Sequence, residues 1–131
     1  MNIYFHIDEL HRDAVVASAL KKKFAQKGHN LIYGNRATYP LLKYFHSAFD
    51  VIILPRPHLI YDNWGDEWMS WNARFVTLST ESLGIICKDH EVMAKTLLDR
   101  EYFEGKRQYV ERIDAFCLWG TKQLQAVKDH G

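Results

Sequence analysis

Residues 50–55 have the sequence DVIILP, and this short stretch indicates the fold class. Its four central residues are aliphatic, which is typical of a strand buried on both faces of a parallel sheet. The proline that follows lacks a backbone N–H and predicts the end of the strand. Similar apolar runs lie at 2–7, 29–33, 74–79 and 114–118, and a further short one lies at 85–87.

The segments between these runs have helical periodicity, which predicts helices over 11–27, 38–47, 89–103 and 121–130, with a shorter one over 106–111. Gly28 follows the first helix at the position where a helix-ending glycine is expected. Strands that alternate with helices of about ten residues or more indicate βαβ units. We therefore predict one α/β domain over residues 1–131, a three-layer Rossmann-like fold with a mainly parallel sheet of about five strands.

Composition and charge exclude several classes of protein. The chain has 17 Lys and Arg against 16 Asp and Glu, so it lacks the positive field of a general nucleic-acid binder. We found no apolar stretch long enough to span a membrane and no signal peptide at the first residues. We therefore expect a cytoplasmic protein and leave peripheral contact with a membrane open. Cys87 and Cys117 lie in apolar runs and are interpreted as reduced core residues.

The nucleotide-binding motifs of α/β proteins are missing at the positions where they would be needed. The first strand is followed by DELHRD at 8–13, which has no glycine for the G-x-G-x-x-G turn of a dinucleotide site. The sequence has no G-x-x-x-x-G-K-[ST] loop either. A phosphorelay receiver would need an aspartate after the third strand, where this chain has residues 54–57, LPRP.

Candidate site residues follow from the rule that such folds bind ligands beyond the carboxyl ends of their strands. At the end of the first strand the candidates are His6, Glu9, Arg12 and Asp13. Imidazole, carboxylate and guanidinium groups together can bind sugar hydroxyls, move a proton or orient a phosphate. The structural alternative is that Asp8 or Glu9 caps the first helix and Arg12 pairs with an acid on its surface. No histidine or cysteine spacing is that of zinc ligands, so we expect no metal.

Four further candidates follow later strands. Arg36 can clamp an anion after the second strand, and Asn35 can bind there or cap the next helix. Glu81 lies on a glycine-bounded turn after the fourth strand, where it suits acid or base chemistry or, alternatively, helix capping. Trp64 belongs to the aromatic segment 55–71, whose rings can stack on a sugar or pack on the sheet.

The order and spacing of several short motifs resemble those of a known family. The motifs are Arg12-Asp13, Lys27-Gly28-His29, Gly34-Asn35-Arg36, residues 50–55, Thr80-Glu81-Ser82-Leu83-Gly84, and Asp114-Ala115-Phe116 with Trp119-Gly120 and Gln123. With these motifs the chain resembles, over nearly its whole length, the N-terminal Rossmann-like domain of bacterial surface-polysaccharide glycosyltransferases of the GT-B type. That group includes Kdo-transferring capsule and O-antigen enzymes.

The resemblance implies a domain that holds the glycan acceptor and faces a second Rossmann-like domain or partner chain. It implies that Arg12, Asp13, Asn35 and Arg36 line the acceptor side of the cleft and that Glu81 is the catalytic acid or base. It implies no cofactor in this domain and a nucleotide sugar in the C-terminal domain. Since one such domain supplies only half of the cleft, we expect the 131 residues to be inactive alone.

A non-catalytic binding or assembly module is the alternative function. Such a module would use the carboxyl ends of the strands and the segment Trp64–Trp71 as an exposed lip, with the tryptophans as anchors for a partner.

Overall fold

The computed structural model of the chain describes residues 1–56, 58–59, 64–78, 89–97, 107–118 and 120–130, without the side chains of Arg12, Tyr39, Thr96, Leu97 and Arg107. The strands are β1 (Asn2–His6), β2 (Asn30–Gly34), β3 (Val51–Leu54), β4 (Arg74–Leu78) and β5 (Ala115–Cys117). The α-helices are α1 (Leu10–Gln26), α2 (Tyr39–Phe45), α3 (His90–Leu97), α4 (Arg107–Glu111) and α5 (Gly120–His130). Short 3₁₀ turns cover Arg36–Thr38, His46–Ala48 and Glu67–Ser70.

The strands form one parallel sheet in the order β2-β1-β3-β4-β5. This confirms the predicted α/β Rossmann-like class, and each strand ends within one residue of its predicted bounds. The chain leaves β1 toward β2 and then crosses back to place β3 on the other side of β1. The sheet is thus doubly wound, in the order also found in flavodoxin-like folds, with its switch point between β1 and β3. The predicted run at 85–87 lies outside the described residues.

Alternation along the strands divides the core between the two faces of the sheet. Ile3, Phe5 and Ile7 point to one face and pack with Ala17 of α1. Tyr4, on the intervening position of β1, belongs to the cluster on the opposite face, which also takes in α2, the segment 64–71 and α4. The sheet therefore lies between two helical layers, as period-2 alternation within buried strands requires.

The predicted end of α1 is confirmed in detail. Gly28 has a φ of 73°, which glycine adopts without steric cost. Its N–H donates to the carbonyl of Ala25 at 3.0 Å, and the His29 N–H donates to the carbonyl of Phe24 at 2.9 Å. This pair of bonds is a Schellman motif, and it directs the chain from α1 into β2.

The tryptophan segment does not form an exposed lip. Trp64, Trp68 and Trp71 are only 6%, 0% and 5% exposed, because all three pack in the cluster that covers one face of the sheet. The ring of Trp68 meets that of Phe75 edge to face, with centroids 5.0 Å apart. The tryptophan lip that we expected for a binding or assembly module is therefore buried in the core.

One cysteine expectation is also wrong. Cys117 is exposed, because β5 is the edge strand of the sheet, and Cys87 lies outside the described residues. Partial burial still raises the pKa of the Cys117 thiol. None of the helices in the described ranges is long and apolar enough to cross a membrane.

Candidate functional site

A cleft of about 150 Å³ lies at the switch point of the sheet. Three consecutive strands in the sheet order supply its walls, because the carboxyl ends of parallel strands meet at one edge. Asp8 follows β1 and Arg36 follows β2, while the segment after β3 contributes the remaining residues. The lining residues are Asp8, Arg36, Pro55, Arg56, His58 and Leu59.

An ion pair bridges the first two walls of this switch-point cleft. The Arg36 guanidinium lies 3.2 Å from a carboxylate oxygen of Asp8. The Arg36 side chain is 72% exposed and that of Asp8 is 23% exposed, so the arginine can turn toward a ligand while the acid stays against the protein. Exposed pairs of this kind add little stability, which leaves Arg36 available for binding.

Asp13 holds the loop between β1 and α1 in place. Its carboxylate is fully buried and accepts hydrogen bonds from the backbone N–H groups of Asp8 and Glu9, both at 3.0 Å. Glu9 is the N-cap residue of α1 but makes no capping bond with its own side chain. The predicted cap by Glu9 is therefore wrong, and the Asp8 carboxylate pairs with Arg36 instead. Asp13 reaches back from the first turn and holds the backbone of Asp8 and Glu9.

His6 is fully buried at the end of β1, close to the loop that carries Asp8. Burial lowers the pKa of His6 from 6.5 to about 4, since the nearby carboxylates of Asp8 and Asp13 oppose the shift only in part. The Arg36 charge lowers this pKa further. His6 is therefore a neutral imidazole at pH 7, and its ring is buried rather than at the surface.

Asn35 shapes the turn that presents Arg36. Its side-chain oxygen accepts the N–H of Ala37 at 3.1 Å, and its carbonyl accepts both the N–H and the hydroxyl of Thr38. These bonds close the 3₁₀ turn Arg36–Thr38. The capping alternative for Asn35 is thus realised, and the residue acts by positioning the arginine beside it.

Close packing beneath this turn explains the glycine at the end of β2. A Cβ on Gly34 would overlap the Thr38 hydroxyl and lie 3.0 Å from the Tyr4 hydroxyl. These two hydroxyls are themselves hydrogen bonded at 2.9 Å. Burial is the main reason that the pKa of Tyr4 is raised, so the phenol stays protonated and available for this bond.

The structure thus brings only part of the predicted set together. Arg36 lines the cleft, with His6 and Asp13 behind it and Asn35 beside it. Glu9 is exposed at the start of α1 and is not among the described lining residues. Trp64 lies in the core. The predictions for the Arg12 side chain and for Glu81 lie outside the described residues.

Sequence reasoning missed Arg56 and His58 as members of the site. Both stand directly after β3, and they meet Asp8 and Arg36 only because β3 lies beside β1. The segment PRPH at 55–58 held the signal, since it places a cation and an imidazole just past a buried strand. That signal becomes specific once the strand order is known.

The cleft can bind an anionic group. Two guanidinium groups and an imidazole line it against a single carboxylate. Guanidinium forms paired hydrogen bonds to a carboxylate or phosphate, and the Asp8 carboxylate can accept a hydrogen bond from a hydroxyl of the same ligand. Within the described ranges no group of three His, Cys, Asp or Glu side chains could hold a metal ion.

Comparison of the chain with protein-family models, curated proteins and solved structures found no significant match. The fold class therefore rests on the sheet order and the two helical layers.

Proposed function

We propose that this chain is the acceptor-side domain of a glycosyltransferase for a bacterial surface polysaccharide, and that the switch-point cleft binds an acidic sugar unit of the acceptor. The observation that carries the proposal is the convergence of Arg36, Arg56, His58 and Asp8 on one cleft at the carboxyl ends of β1, β2 and β3. Doubly wound sheets bind their ligands at this place.

The chemistry of the cleft fits a charged sugar better than a neutral one. A guanidinium can pair with the carboxylate of a uronic or ulosonic acid through two parallel hydrogen bonds. Asp8 can accept a hydrogen bond from a ring hydroxyl of the same unit. At about 150 Å³ the cleft has room for a single sugar unit, while the rest of the glycan lies outside it.

The donor nucleotide sugar is assigned to a second Rossmann-like domain or a partner chain. The loop after β1 lacks the glycines that let backbone approach a pyrophosphate. The chain alone should therefore bind acceptor without transferring sugar. Turnover of a nucleotide sugar by the 131 residues would contradict this division of roles. Glu81 remains the predicted acid or base of the complete enzyme.

Titration calorimetry with two matched oligosaccharides tests the proposal. One contains glucuronic acid and the other, of equal length, contains only glucose. We expect measurable binding of the acidic oligosaccharide alone. Arg36→Ala should weaken that binding about tenfold or more, since it removes a charge-assisted contact.

Arg74→Ala is the matched control. Arg74 is an exposed arginine at the amino end of β4, whereas the cleft lies at the carboxyl ends of the strands. This variant should bind the acidic oligosaccharide as the original chain does. Equal affinity for the acidic and neutral oligosaccharides, or equal losses in the two arginine variants, would refute an acidic-sugar site in this cleft.

A further inference from the structure

The edge of the sheet formed by β2 carries a group of exposed apolar side chains. They range from Tyr33, 45% exposed, to Tyr44, 73% exposed. We call this group the edge patch, and its members are Ile32, Tyr33, Leu41, Tyr44 and Phe45. The first two belong to β2 and the others to α2, so strand and helix expose apolar side chains on the same border of the domain.

A groove of about 230 Å³ runs through the edge patch. Ile32 of β2 lines it together with Leu41 and Phe45 of α2, and Leu42 and Phe49 complete its apolar wall. An apolar surface of this kind is costly to leave in water, and it marks a place where the protein meets something apolar.

The charge of the same part of the chain is strongly one-sided. Residues 14–49, which contain most of α1 and all of β2 and α2, have no Asp or Glu. Their cations are Lys21, Lys22, Lys23, Lys27, Arg36 and Lys43. Since the whole chain has a net charge of only +1, the remainder of the molecule is net negative. The positive charge is therefore concentrated in β2, α2 and the helix α1 that packs against β2.

The contacts of individual cations show which of them lie near the edge patch and which are paired with an acid. The Lys21 ammonium lies 5.5 Å from the centre of the Tyr33 ring, which places a cation directly beside the edge patch. Lys43 pairs with Glu67 at 2.8 Å and Arg36 pairs with Asp8, so these two are partly neutralised. Lys21 is thus the cation that the structure places at the edge patch, and Lys22 and Lys23 follow it on α1.

We propose that the edge patch binds the surface of a lipid bilayer rich in anionic headgroups. Exposed aromatic and aliphatic side chains insert at the headgroup boundary, and flanking lysines are attracted to anionic lipid. Charge argues against a second copy of this chain on the patch, since two such positive borders would repel. The proposal is independent of the glycosyltransferase assignment, because it rests on the edge patch and the lysines of α1 and not on the switch-point cleft.

Co-sedimentation of the chain with lipid vesicles tests the proposal. One set of vesicles is phosphatidylcholine, and the other contains about a quarter phosphatidylglycerol. We expect the chain to sediment with the anionic vesicles only, and added salt to release it. The double variant Lys21→Glu/Lys22→Glu should lower the partition coefficient at least about tenfold. Lys122→Glu/Lys128→Glu on α5 changes the net charge equally and should leave binding nearly unchanged.

The apolar contribution has its own pair of variants. Phe45→Ser should weaken binding several-fold, whereas Leu124→Ser, which also removes an exposed apolar side chain, should not. If Phe45→Ser does not fold, Tyr44→Ser replaces it as the variant that removes an exposed apolar side chain of the edge patch. Thermal unfolding of every variant is measured first to show that it is folded.

Three results would overturn the proposal. The first is equal sedimentation with both kinds of vesicle. The second is equal loss in the α1 and α5 charge variants, which would indicate attraction without a defined surface. The third is a concentration-dependent dimer that Phe45→Ser abolishes, which would identify a second copy as the occupant.

Discussion

His6 shows how a single residue acquires its properties from the fold. In the sequence it is one of seven histidines, and only its place at the end of the first strand sets it apart. In the structure it is fully buried at the end of β1, and burial lowers its pKa to about 4. A cation at this point would lie in the core, so the fold excludes the protonated form.

This shift makes stability depend on pH. Unfolding returns the His6 pKa from about 4 to near 6.5, so the unfolded chain takes up a proton between these values. The free energy of unfolding therefore keeps its full value above about pH 6.5. It falls as the pH drops toward 4, and the loss due to His6 is about 3 kcal/mol at most. Urea unfolding at a series of pH values should show this slope. We expect His6→Asn to flatten it, whereas a substitution of exposed His11 by Asn should not; an unchanged slope in His6→Asn would disprove the assignment.

Gly34 is required because there is no space for a side chain at this position, and not because its backbone needs the freedom of glycine. Its Cβ would overlap the Thr38 hydroxyl, so Gly34→Ala should lower the free energy of unfolding by about 1–3 kcal/mol. In a Thr38→Ala background the same substitution should cost less, because the nearest clashing atom is gone. Chemical denaturation of the four proteins in this cycle measures the coupling. Equal costs in both backgrounds would mean that some other contact excludes the side chain.

At the scale of elements, the junction of β1 with α1 depends on one buried carboxylate. Asp13 accepts the backbone N–H groups of Asp8 and Glu9, just before the first turn of α1, and it thereby orients Asp8 at the cleft. A sequence pattern can place an acid in the first turn of a helix. It does not reveal that the side chain turns back to the preceding loop.

We expect Asp13→Ala to destabilise the protein by about 2–3 kcal/mol, because two backbone N–H groups lose the buried carboxylate that accepts their hydrogen bonds. Asp13→Asn should recover part of this loss, since an amide oxygen still accepts. The control is Asp129→Ala, which removes an exposed acid in the last turn of α5. Urea unfolding provides the comparison. Identical stability of the Asp13 and Asp129 alanine variants would rule out the proposed role.

At the scale of the whole molecule, the tryptophan segment joins the helical layer to the sheet. Trp68 is fully buried against Phe75 of β4 and lies 6.1 Å, centre to centre, from Tyr109 of α4. Arg112 adds a polar link, because its guanidinium donates to the carbonyls of Trp71 and Ala73 at 2.6 and 3.0 Å. Together these contacts connect α4 to the start of β4.

Trp68→Ala should therefore cost about 3–5 kcal/mol, a large share of the stability of a domain of this size. We expect near-UV circular dichroism and far-UV thermal unfolding to show a largely unfolded or molten chain. Trp68→Phe keeps most of the ring volume and should retain a cooperative transition. Tyr44→Ala, which truncates an exposed aromatic residue, should be nearly neutral. A Trp68→Ala variant as stable as Tyr44→Ala would contradict this account of the core.

Local patterns in the sequence determined the fold class and most element boundaries. The run DVIILP and the glycine after α1 carry local signals, namely buried aliphatic periodicity and a left-handed backbone turn, and the structure realises both. The sequence also held the charge asymmetry of residues 14–49. These features depend on neighbours in the chain, so a single sequence is enough to read them.

Only the tertiary structure decided which distant residues meet. The placement of β3 beside β1 brings Arg56 and His58 to Asp8 and Arg36. The same packing buries Trp64 in the core and leaves Ile32 and Phe45 exposed, with Lys21 of α1 beside Tyr33. Strand order and the sharing of two sheet faces depend on contacts between residues far apart in the chain, and no local periodicity encodes them.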